Sequence, residues 1–330
     1  MTKIPISVLE LATVLEGGNH RSAISNTVKI AQHIEGLGYQ RLWMAEHHNM
    51  AYIASSATSV LIGHIAGKTK SIRVGSGGIM LPNHSPLVIA EQFGTLETMY
   101  AGRIDLGLGR APGSDQLTAM ALRRNQNTAQ NFPEDVRQLQ TYFSSDNRNA
   151  KVRAFPGEGL EIPLWILGSS TDSAYLAAEM GLPYAFASHF APAQLLTAIN
   201  IYRKNFKASA VLAKPKVMAC VNVIAADTDQ EASDLFNSLI SLFIGIITNT
   251  RKPLSPPHGL PEAYQIPEIK NAVNSMLSCS FFGSKETLRK DISSFIDDTG
   301  IDELMVATHI FDLEAKLKSF SILKEALSHG

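Results

Sequence analysis

Apolar positions follow two different periods along this chain. Short runs rich in β-branched and aliphatic residues have strand length, and between them apolar residues recur every three or four positions, as in amphipathic helices. Eight such runs occur, at residues 4–11, 41–45, 72–81, 103–109, 163–167, 184–188, 216–225 and 303–308. Eight strands that alternate with helices predict a (β/α)8 barrel, and an open doubly wound sheet is the alternative. No G-x-G-x-x-G motif follows the first run, which weakens the alternative.

The clearest unit lies between Ile72 and Arg110. A strand passes through Gly77 and Gly78, a helix starts near Pro86, and a second strand leads to Arg110. A strand, a crossover helix and a parallel strand connect right-handedly, so the loops after the strands gather on one edge. In a barrel that edge is the active face, and we expect Arg110 to lie on it.

Residues 248–268 interrupt the alternation. They contain five of the fifteen prolines of the chain, which excludes a regular helix or a central strand over this stretch. We therefore predict an irregular insertion loop near the active face. Residues 1–330 together have the length of one barrel domain.

Composition narrows the class of protein. Hydrophobic residues make up 45% of the chain, charged residues make up 18%, and the formal net charge is −1. These values predict a large core and give no electrostatic reason to expect nucleic acid or an anionic membrane as a partner. No apolar stretch is long enough to span a bilayer and no signal peptide is visible, which predicts a cytoplasmic protein. The two cysteines, Cys220 and Cys279, are expected to be free thiols.

The segment LGSSTDSAYLAAEMG carries a candidate anion site. A glycine ends the fifth strand, and hydroxyl residues surround the first turn of the next helix, where free N–H groups and the helix dipole favour a phosphate. Ordinary N-capping by Ser170 or Thr171 is the alternative, but it needs only one such residue. The usual barrel phosphate site follows strands seven and eight, so this position would be a departure. The candidates are Gly168, Ser169, Ser170, Thr171 and Ser173, with Arg110 as a possible charge partner.

Two further motifs lie at strand exits. Gly77 and Gly78 interrupt a bulky strand, which indicates either the close approach of a flat ligand ring or a β-bulge. Glu46, His47 and His48 follow the second strand and could bind a metal, move protons or form a packing cluster. Adjacent strand residues point to opposite sides, so we expect no metal here and favour one histidine as a proton-handling group.

Four segments together resemble the bacterial luciferase-like monooxygenase family, the flavin-dependent (β/α)8 enzymes. They occur in the order found in that family and cover essentially the whole chain. The segments are WMAEHHN, VGSGGIMLPNHSP, EQFGTLETMYAGRIDLGLGRAPGSD and LGSSTDSAYLAAEMGLPYAFASHF.

The resemblance implies roles for individual positions. Gly77 and Gly78 match a non-prolyl cis peptide that packs on the flavin ring. His47 matches the active-site histidine, which in the luciferases assists the reaction of the flavin with oxygen, and Glu46 accompanies it. Residues 248–268 match the mobile active-site loop. The positions on the flavin phosphate site are Gly168, Ser169, Ser170 and Ser173, with Arg110 reaching the same phosphate.

The resemblance also implies an activity. We expect an FMN-dependent monooxygenase that takes reduced FMN from a separate reductase, uses O2 to oxidise a small organic substrate and forms a homodimer. Where the luciferases have a reactive cysteine this chain has Gly109, which argues against light emission. The alternatives are an enzyme that uses the deazaflavin F420 for hydride transfer, a flavin-binding protein without turnover, and, remotely, a phosphate-binding isomerase or aldolase. Possible substrate-lining residues are Tyr52, His84, His189 and His309.

Overall fold

The computed structural model describes residues 4–111, 115–124 and 128–328. Eight parallel strands form a closed barrel, because the first strand pairs with the last and the last pairs with the seventh. The (β/α)8 prediction is confirmed. The strands of the described part are β1 (Ile6–Glu10), β2 (Arg41–Met44), β3 (Arg73–Met80), β4 (Ile104–Gly109), β5 (Leu164–Gly168), β6 (Tyr184–Phe186), β7 (Val217–Ala225), β8 (Ser280–Gly283) and β9 (Glu303–Ala307).

Helices surround the barrel. Pro86 stands in the first turn of its helix, as predicted, and Asn19 and Ser22 form a reciprocal capping box at the start of the first helix. Within the described ranges, none of the helices combines the length and apolarity needed to cross a membrane. The helices are α1 (His20–Gly36), α2 (Thr58–Ala66), α3 (Pro86–Met99), α4 (Gln116–Ala121), α5 (Phe132–Phe143), α6 (Thr171–Met180), α7 (Leu195–Asn205), α8 (Asp229–Ile247), α9 (Pro267–Met276), α10 (Lys285–Thr299) and α11 (Leu313–Ser328).

Two elements differ from the sequence-based prediction. Strand β8 was not predicted; it adds to the last residues of β7, where Asn222 pairs with Ser280 and Ala225 with Gly283. It is too short to show a period of its own, and it forms because β7 extends beyond β6. The prediction of an irregular stretch to residue 268 was wrong at its end, since α9 begins at Pro267. Proline is compatible with a first helical turn, where its missing N–H has no intrahelical partner.

The barrel interior forms a core of its own. Its side chains come from alternate strand positions, so that Trp43 and Ala45 both point inward from the line of β2. The two tryptophans, Trp43 and Trp165, meet edge to face with ring centroids 5.4 Å apart. Smaller side chains fill the interior beside these rings. The buried members are Leu9, Trp43, Ala45, Trp165, Ala185, Met218, Cys220, Met305 and Ala307.

Charged residues close the end of the barrel at which the strands begin. The Arg41 guanidinium donates to Asp105 and to Glu303 at 2.7 Å each, and all three side chains are buried. Arg73 also pairs with Asp105, at 2.6 Å, and the Ser7 hydroxyl donates to Glu303. The ion pairs link β2, β3, β4 and β9 away from the strand exits, and the Ser7 hydrogen bond adds β1.

Candidate active site

Glu46, directly after β2, is the centre of a hydrogen-bonded cluster. Its side chain is 1% exposed. The carboxylate accepts hydrogen bonds from His48 Nε2 at 2.8 Å, from His84 Nε2 at 3.0 Å, from the Met80 N–H at 3.0 Å and from Asn83 Nδ2 at 2.9 Å. Since a carboxylate only accepts, the Nε2 atoms of both histidines carry protons.

The charge of Glu46 follows from these contacts. Burial alone would raise its pKa, but the hydrogen bonds from His84, Asn83 and His48 and the field of His84 outweigh burial, so the pKa lies below its ordinary value. Glu46 is therefore ionised at neutral pH. Asn83 is itself held by Arg124, whose Nη1 donates to Asn83 Oδ1 at 3.1 Å. The carboxylate thus fixes the orientation of two histidines at the mouth of the barrel.

The same cluster has the spacing of metal ligands. One ligand atom each of Glu46, His48 and His84 lies within 4.8 Å of the others. The sequence-based argument against a metal considered His47 with His48 and overlooked His84, which lies far along the chain. The observed contacts are all of hydrogen-bond length, and a carboxylate that already accepts from Met80 and Asn83 is satisfied without a cation. The absence of a metal stays a prediction.

Three histidines approach the barrel mouth from different strands. His47 follows β2 and donates its backbone N–H to the Ser55 carbonyl at 3.4 Å, whereas His189 follows β6 and His309 follows β9. Burial, helped by the fields of His309 and His47, lowers the pKa of His189 to about 3. Burial and the nearby Lys316 lower the pKa of His309 to about 3. Both imidazoles are therefore neutral at physiological pH.

Gly77 and Gly78 are joined by a cis peptide bond, as the resemblance implies, and the pairing of β3 with β4 shifts register there. The β-bulge interpretation is confirmed. A Cβ on Gly78 would lie 2.3 Å from Leu167 Cδ1 and 2.8 Å from the Gly107 oxygen, and one on Gly77 would lie 2.9 Å from Leu9. The atoms of the barrel itself therefore require both glycines, independently of any ligand.

The predicted anion site lies at the N-terminus of α6. Ser170 occupies the N-cap position but its side chain makes no capping hydrogen bond. Ser173 has a different environment: its hydroxyl donates to the Ser170 carbonyl at 2.7 Å and lies 3.0 Å from the Tyr184 hydroxyl. Gly168 is required by this packing, because a Cβ there would lie 1.9 Å from Ser173 Oγ. Ser169 and Ser170 are thus the hydroxyls best placed for an anion, and Ser173 shapes the turn.

Arg110 lies across from this turn. Its Nη2 is 3.2 Å from Asp172 Oδ2, in the first turn of α6, and both side chains are about half exposed or more. The arginine therefore reaches the helix N-terminus, as predicted. A helix N-terminus with two hydroxyls and a guanidinium has the chemistry of a phosphate site. Asp172 would share the arginine with a phosphate bound there.

The proline-rich segment docks beside the mouth of the barrel. The Leu254 N–H donates to the Val14 carbonyl at 3.1 Å, and the Glu16 N–H donates to the Leu254 carbonyl at 2.9 Å. Arg251 also reaches the Tyr52 hydroxyl at 3.3 Å. These contacts attach the insertion to the loops after β1 and β2, so its predicted position near the active face is confirmed.

Sequence reasoning missed Asn222. It belongs to β7, is 1% exposed, and donates from Nδ2 to the His189 carbonyl at 2.6 Å and to Ser280 Oγ at 3.1 Å. Met218 and Cys220 face the barrel interior, so alternation places Asn222 on the same face. The sequence carried one signal for this residue, because Asn222 is the single amide side chain within the apolar run of β7.

A closed parallel barrel whose strand exits carry a helix N-terminus, an arginine and several histidines has the architecture of the barrel enzymes, which place their active sites at this end. Comparison with known proteins makes this class more specific. A family model described as luciferase-like monooxygenase matches residues 5–303, and the chain belongs to that family. It is 51% identical to a luciferase-like monooxygenase of Escherichia coli (strain K12), over 97% of this chain and 96% of that protein. It is 31% identical to the N-acetyl-S-alkylcysteine monooxygenase of Bacillus subtilis (strain 168), over 98% of each.

Solved structures agree with this assignment. Apo-MsnO8 superposes with a TM-score of 0.89 at 31% identity, over 99% of each chain. At 17% identity, the oxygenating constituent of the 3,6-diketocamphane monooxygenase of Pseudomonas putida, a type II Baeyer–Villiger monooxygenase in complex with FMN, has a TM-score of 0.76 over 98% of this chain and 97% of that one. An F420-dependent secondary alcohol dehydrogenase has a TM-score of 0.72 at 15% identity, over 99% of each. The last two likenesses show the fold alone.

Proposed function

We propose that this chain is an FMN-dependent monooxygenase that receives reduced FMN from a separate reductase and oxidises a small organic substrate with O2. The observation that carries the proposal is the α6 N-terminus opposite Arg110, in a barrel of the luciferase-like family. Ser169, Ser170 and the N–H groups of the first turn of α6 would hold the phosphate, with Arg110 supplying charge. When bound, reduced FMN supplies the electrons and activates the oxygen.

The protein contributes positioning, proton handling and exclusion of water. Gly77 and Gly78 form the bulge near the end of β3, and the flat ring would lie against the backbone of this bulge. Glu46 holds the protonated Nε2 atoms of His48 and His84 in place. His47 is the proton-handling group at the end of β2. The docked segment around Leu254 covers one side of the mouth.

The first test is a titration of the purified protein with FMN, reduced FMN, riboflavin and F420, followed by calorimetry. We expect the FMN forms to bind much more tightly than riboflavin, because riboflavin lacks the phosphate. In the variant Ser169→Ala/Ser170→Ala, the affinity for FMN should fall by at least tenfold, while the affinity for riboflavin should change little. An equal loss of affinity for both ligands would show that the phosphate binds elsewhere. Ser173→Ala is the matched control, which should lower stability without selecting between the two ligands.

The second candidate is an F420-dependent oxidoreductase, which would transfer hydride and not activate O2. The fold does not discriminate, since both cofactors occur in proteins of this fold. The resemblance to monooxygenases over the whole chain favours FMN. Preferential binding of F420 in the titration would replace the first proposal with this one. A third candidate, a flavin-binding protein without turnover, would bind FMN and oxidise nothing in any screen.

A substrate screen with reduced FMN and a reductase tests the reaction itself. N-acetyl-S-alkylcysteines should be included, because a relative 31% identical over nearly the whole chain is named for them. For a substrate found in this way, His47→Ala should lower turnover by about 100-fold or more, as expected for a lost acid–base group, with FMN affinity changed less than threefold. Unchanged turnover would remove His47 from the reaction.

We also propose that residues 1–330 form a single domain, because β1 and β9, from opposite ends of the chain, pair within one barrel. A homodimer is proposed from the resemblance. Exposed apolar side chains on two neighbouring helices, Val60 of α2 and Val88 and Met99 of α3, offer surface for it. Sedimentation of the protein and of Val60→Asp tests this, with a dimer expected only for the first. The cytoplasmic location stays a prediction, to be tested by cell fractionation.

A further inference from the structure

The interior of the barrel changes character towards the strand exits. Trp43, Trp165 and Met305 fill the region where the strands begin, and smaller residues such as Ala45 and Ala307 follow on the same strands. Two residues beyond these alanines, in the line of β2 and β9, stand His47 and His309. The floor beneath the flavin site is therefore polar, although the core below it is apolar.

Asn222 and His189 are direct neighbours in this floor. The Asn222 amide donates to the backbone carbonyl of His189 at 2.6 Å, and the same amide nitrogen also reaches Ser280. These two bonds fix the orientation of the side chain, so Oδ1 is turned away from both partners. The Asn222 side chain is thus held by protein contacts that use only its N–H donors.

Two buried atoms of this pair have no hydrogen-bond partner within the protein: Asn222 Oδ1 and His189 Nδ1. A buried polar atom without a partner costs about 1 to 3 kcal/mol, so such atoms in a site indicate a ligand or water that satisfies them. Asn222 Oδ1 can only accept, and therefore needs an N–H or O–H group. His189 Nδ1 donates or accepts according to its tautomer.

The charge of the floor limits what can bind. His189 and His309 are both neutral at physiological pH because burial depresses the pKa of each to about 3. Neither provides a positive charge for a carboxylate or a phosphate. A ligand group that binds here loses its contacts with water and gains contacts with neutral dipoles only. This costs an anion more than a neutral polar group, so a neutral group is favoured.

We propose that Asn222 and His189 form a subsite for a neutral hydrogen-bond donor of the substrate, such as a carboxamide or an alcohol, beneath the flavin ring. This inference rests on the proposed function for the presence of a flavin and an oxidised substrate. Asn222 Oδ1 accepts from the N–H or O–H group of the substrate, and His189 Nδ1 bonds to the adjacent polar atom. Asn222 and His189 then select the substrate by its donor group and exclude its charged analogues.

Three probes of equal heavy-atom count test the proposal: propionamide, which donates and is neutral; butanone, which only accepts; and propionate, which is charged. Their dissociation constants can be measured on the FMN-loaded protein with ¹⁵N-labelled histidine, following the imidazole signals. We expect propionamide to bind at least tenfold more tightly than either analogue, a difference of about 1.4 kcal/mol or more. Equal binding of the three, tighter binding of propionate, or binding of none of them would overturn the subsite.

Variants assign the selectivity to the two residues. Asn222→Leu removes the acceptor in a similar volume and should reduce the preference for propionamide over butanone to less than threefold. Ser280→Ala removes a partner of Asn222 Nδ2, leaves Oδ1 in place, and should keep the preference. If Asn222→Leu does not fold, His189→Phe removes the second polar contact of the probe and should also reduce the preference for propionamide. A preference for propionamide that survives both Asn222→Leu and His189→Phe would contradict the proposal.

These measurements distinguish a failure of the proposed function from a failure of the proposed subsite. Binding of FMN to the unliganded protein tests the proposed function by itself. If FMN does not bind, the probes can be titrated on the flavin-free protein, where selection for propionamide through Asn222 would still support the subsite. If FMN binds and the probes show no selection, the subsite fails and the proposed function stands.

Discussion

The buried polar groups at the two ends of the barrel differ in charge and in how completely they are paired. Where the strands begin, Arg41 lies between Asp105 and Glu303, and each carboxylate has a second partner, Arg73 for Asp105 and Ser7 for Glu303. Where the strands end, the partly buried His189 and His309 are neutral, and Asn222 and His189 each leave one buried polar atom without a protein partner. The buried groups named at the first end are charged and paired, whereas the histidines and Asn222 at the second end are neutral and partly unsatisfied.

This difference indicates which end binds ligands. A network in which every charge is paired gains nothing from a further partner, and it constrains the strands. Unsatisfied neutral groups cost stability and are retained where a ligand completes them. Trp165 is an exception at the first end, because its indole N–H has no hydrogen-bond partner, although the Arg41 guanidinium lies 5.3 Å from its ring. Substitutions at the two ends should therefore affect different properties.

The largest expected effect on stability is at the first end. Arg41→Met leaves two buried carboxylates short of a partner and should lower the free energy of unfolding by about 3 to 5 kcal/mol. Urea denaturation measures this loss. Arg110→Met is the matched control: that arginine is half exposed, so stability should change by less than about 0.5 kcal/mol while FMN affinity falls. Similar stability losses in both variants would remove the distinction between the two ends.

The second prediction concerns Glu46, the charged exception at the strand exits. Glu46→Gln replaces an acceptor of four hydrogen bonds and should release His48 and His84, lowering turnover on the order of 100-fold, or about 2.7 kcal/mol in activation free energy. Glu97→Gln is the control, because Glu97 accepts the N–H groups of Gly102 and Ile104 at the other end. It should lower stability without changing turnover. Equal turnover in the two variants would make Glu46 structural only.

The third prediction concerns the bulge in β3. Gly78→Ala places a Cβ against Leu167 and Gly107, and overpacking of this kind should cost about 1 to 3 kcal/mol of stability. Gly36→Ala is the control, since a Cβ there meets nothing within 4 Å. Thermal or urea unfolding of both variants measures the difference. If Gly78→Ala were as stable as Gly36→Ala, the glycines would be explained by the ligand and not by the barrel.

The smallest effect at neutral pH is a dependence of stability on pH at the strand exits, which develops only as the pH falls. The folded pKa of His309 is about 3, whereas an unfolded histidine titrates near 6.5, so the unfolded state binds the extra proton between these values. Stability should therefore fall as the pH drops from about 6.5 towards 3, and should not change through His309 above that window. His189, which titrates with it, and the buried pair of Lys316 and Glu10 are the groups that face this region.

His309→Gln tests this dependence. The slope of unfolding free energy against pH should decrease by up to about 1.4 kcal/mol per pH unit within the window, because one histidine contributes at most one proton. Urea midpoints at pH 4, 5, 6 and 7.5 provide the measurement. An unchanged slope would show that His309 has the same pKa in the folded and unfolded states, so that burial does not keep it neutral below pH 6.5.

Much of the fold could be predicted from the sequence, because it rests on local periodicity. Alternating strand and helix patterns gave the eight barrel strands, and Pro86 marked the start of α3. The sequence could not reveal β8, whose four residues form a strand only because β7 offers them an unpaired edge. The predicted proline-rich loop was also too long at its end. Pro267 was included in the loop because proline disfavours a helix interior, but it stands in the first turn of α9, where proline is compatible with a helix.

The sequence could predict individual residues of the candidate site, but not the contacts between them. Motifs after strands pointed to Glu46, His47, Gly77, Gly78, Arg110, Ser169 and Ser170, because strand ends in a parallel barrel converge by topology. Local motifs carry no information about contacts between distant strands, so they could not show that His84 bonds to Glu46 or that Ser173 faces Tyr184. They also could not show that Asp172 shares Arg110.

The sequence by itself thus determined the barrel, the family and the residues at the strand exits, because periodicity and motifs are local and repeat along the chain. Only the tertiary structure decided which of these groups are charged. The charge of His189, His309 and Glu46 depends on burial and on neighbours contributed by other strands, and both arise only when the barrel closes. The neutral floor around Asn222 therefore forms only when the barrel closes and brings several strands together, and no single segment of the sequence shows it.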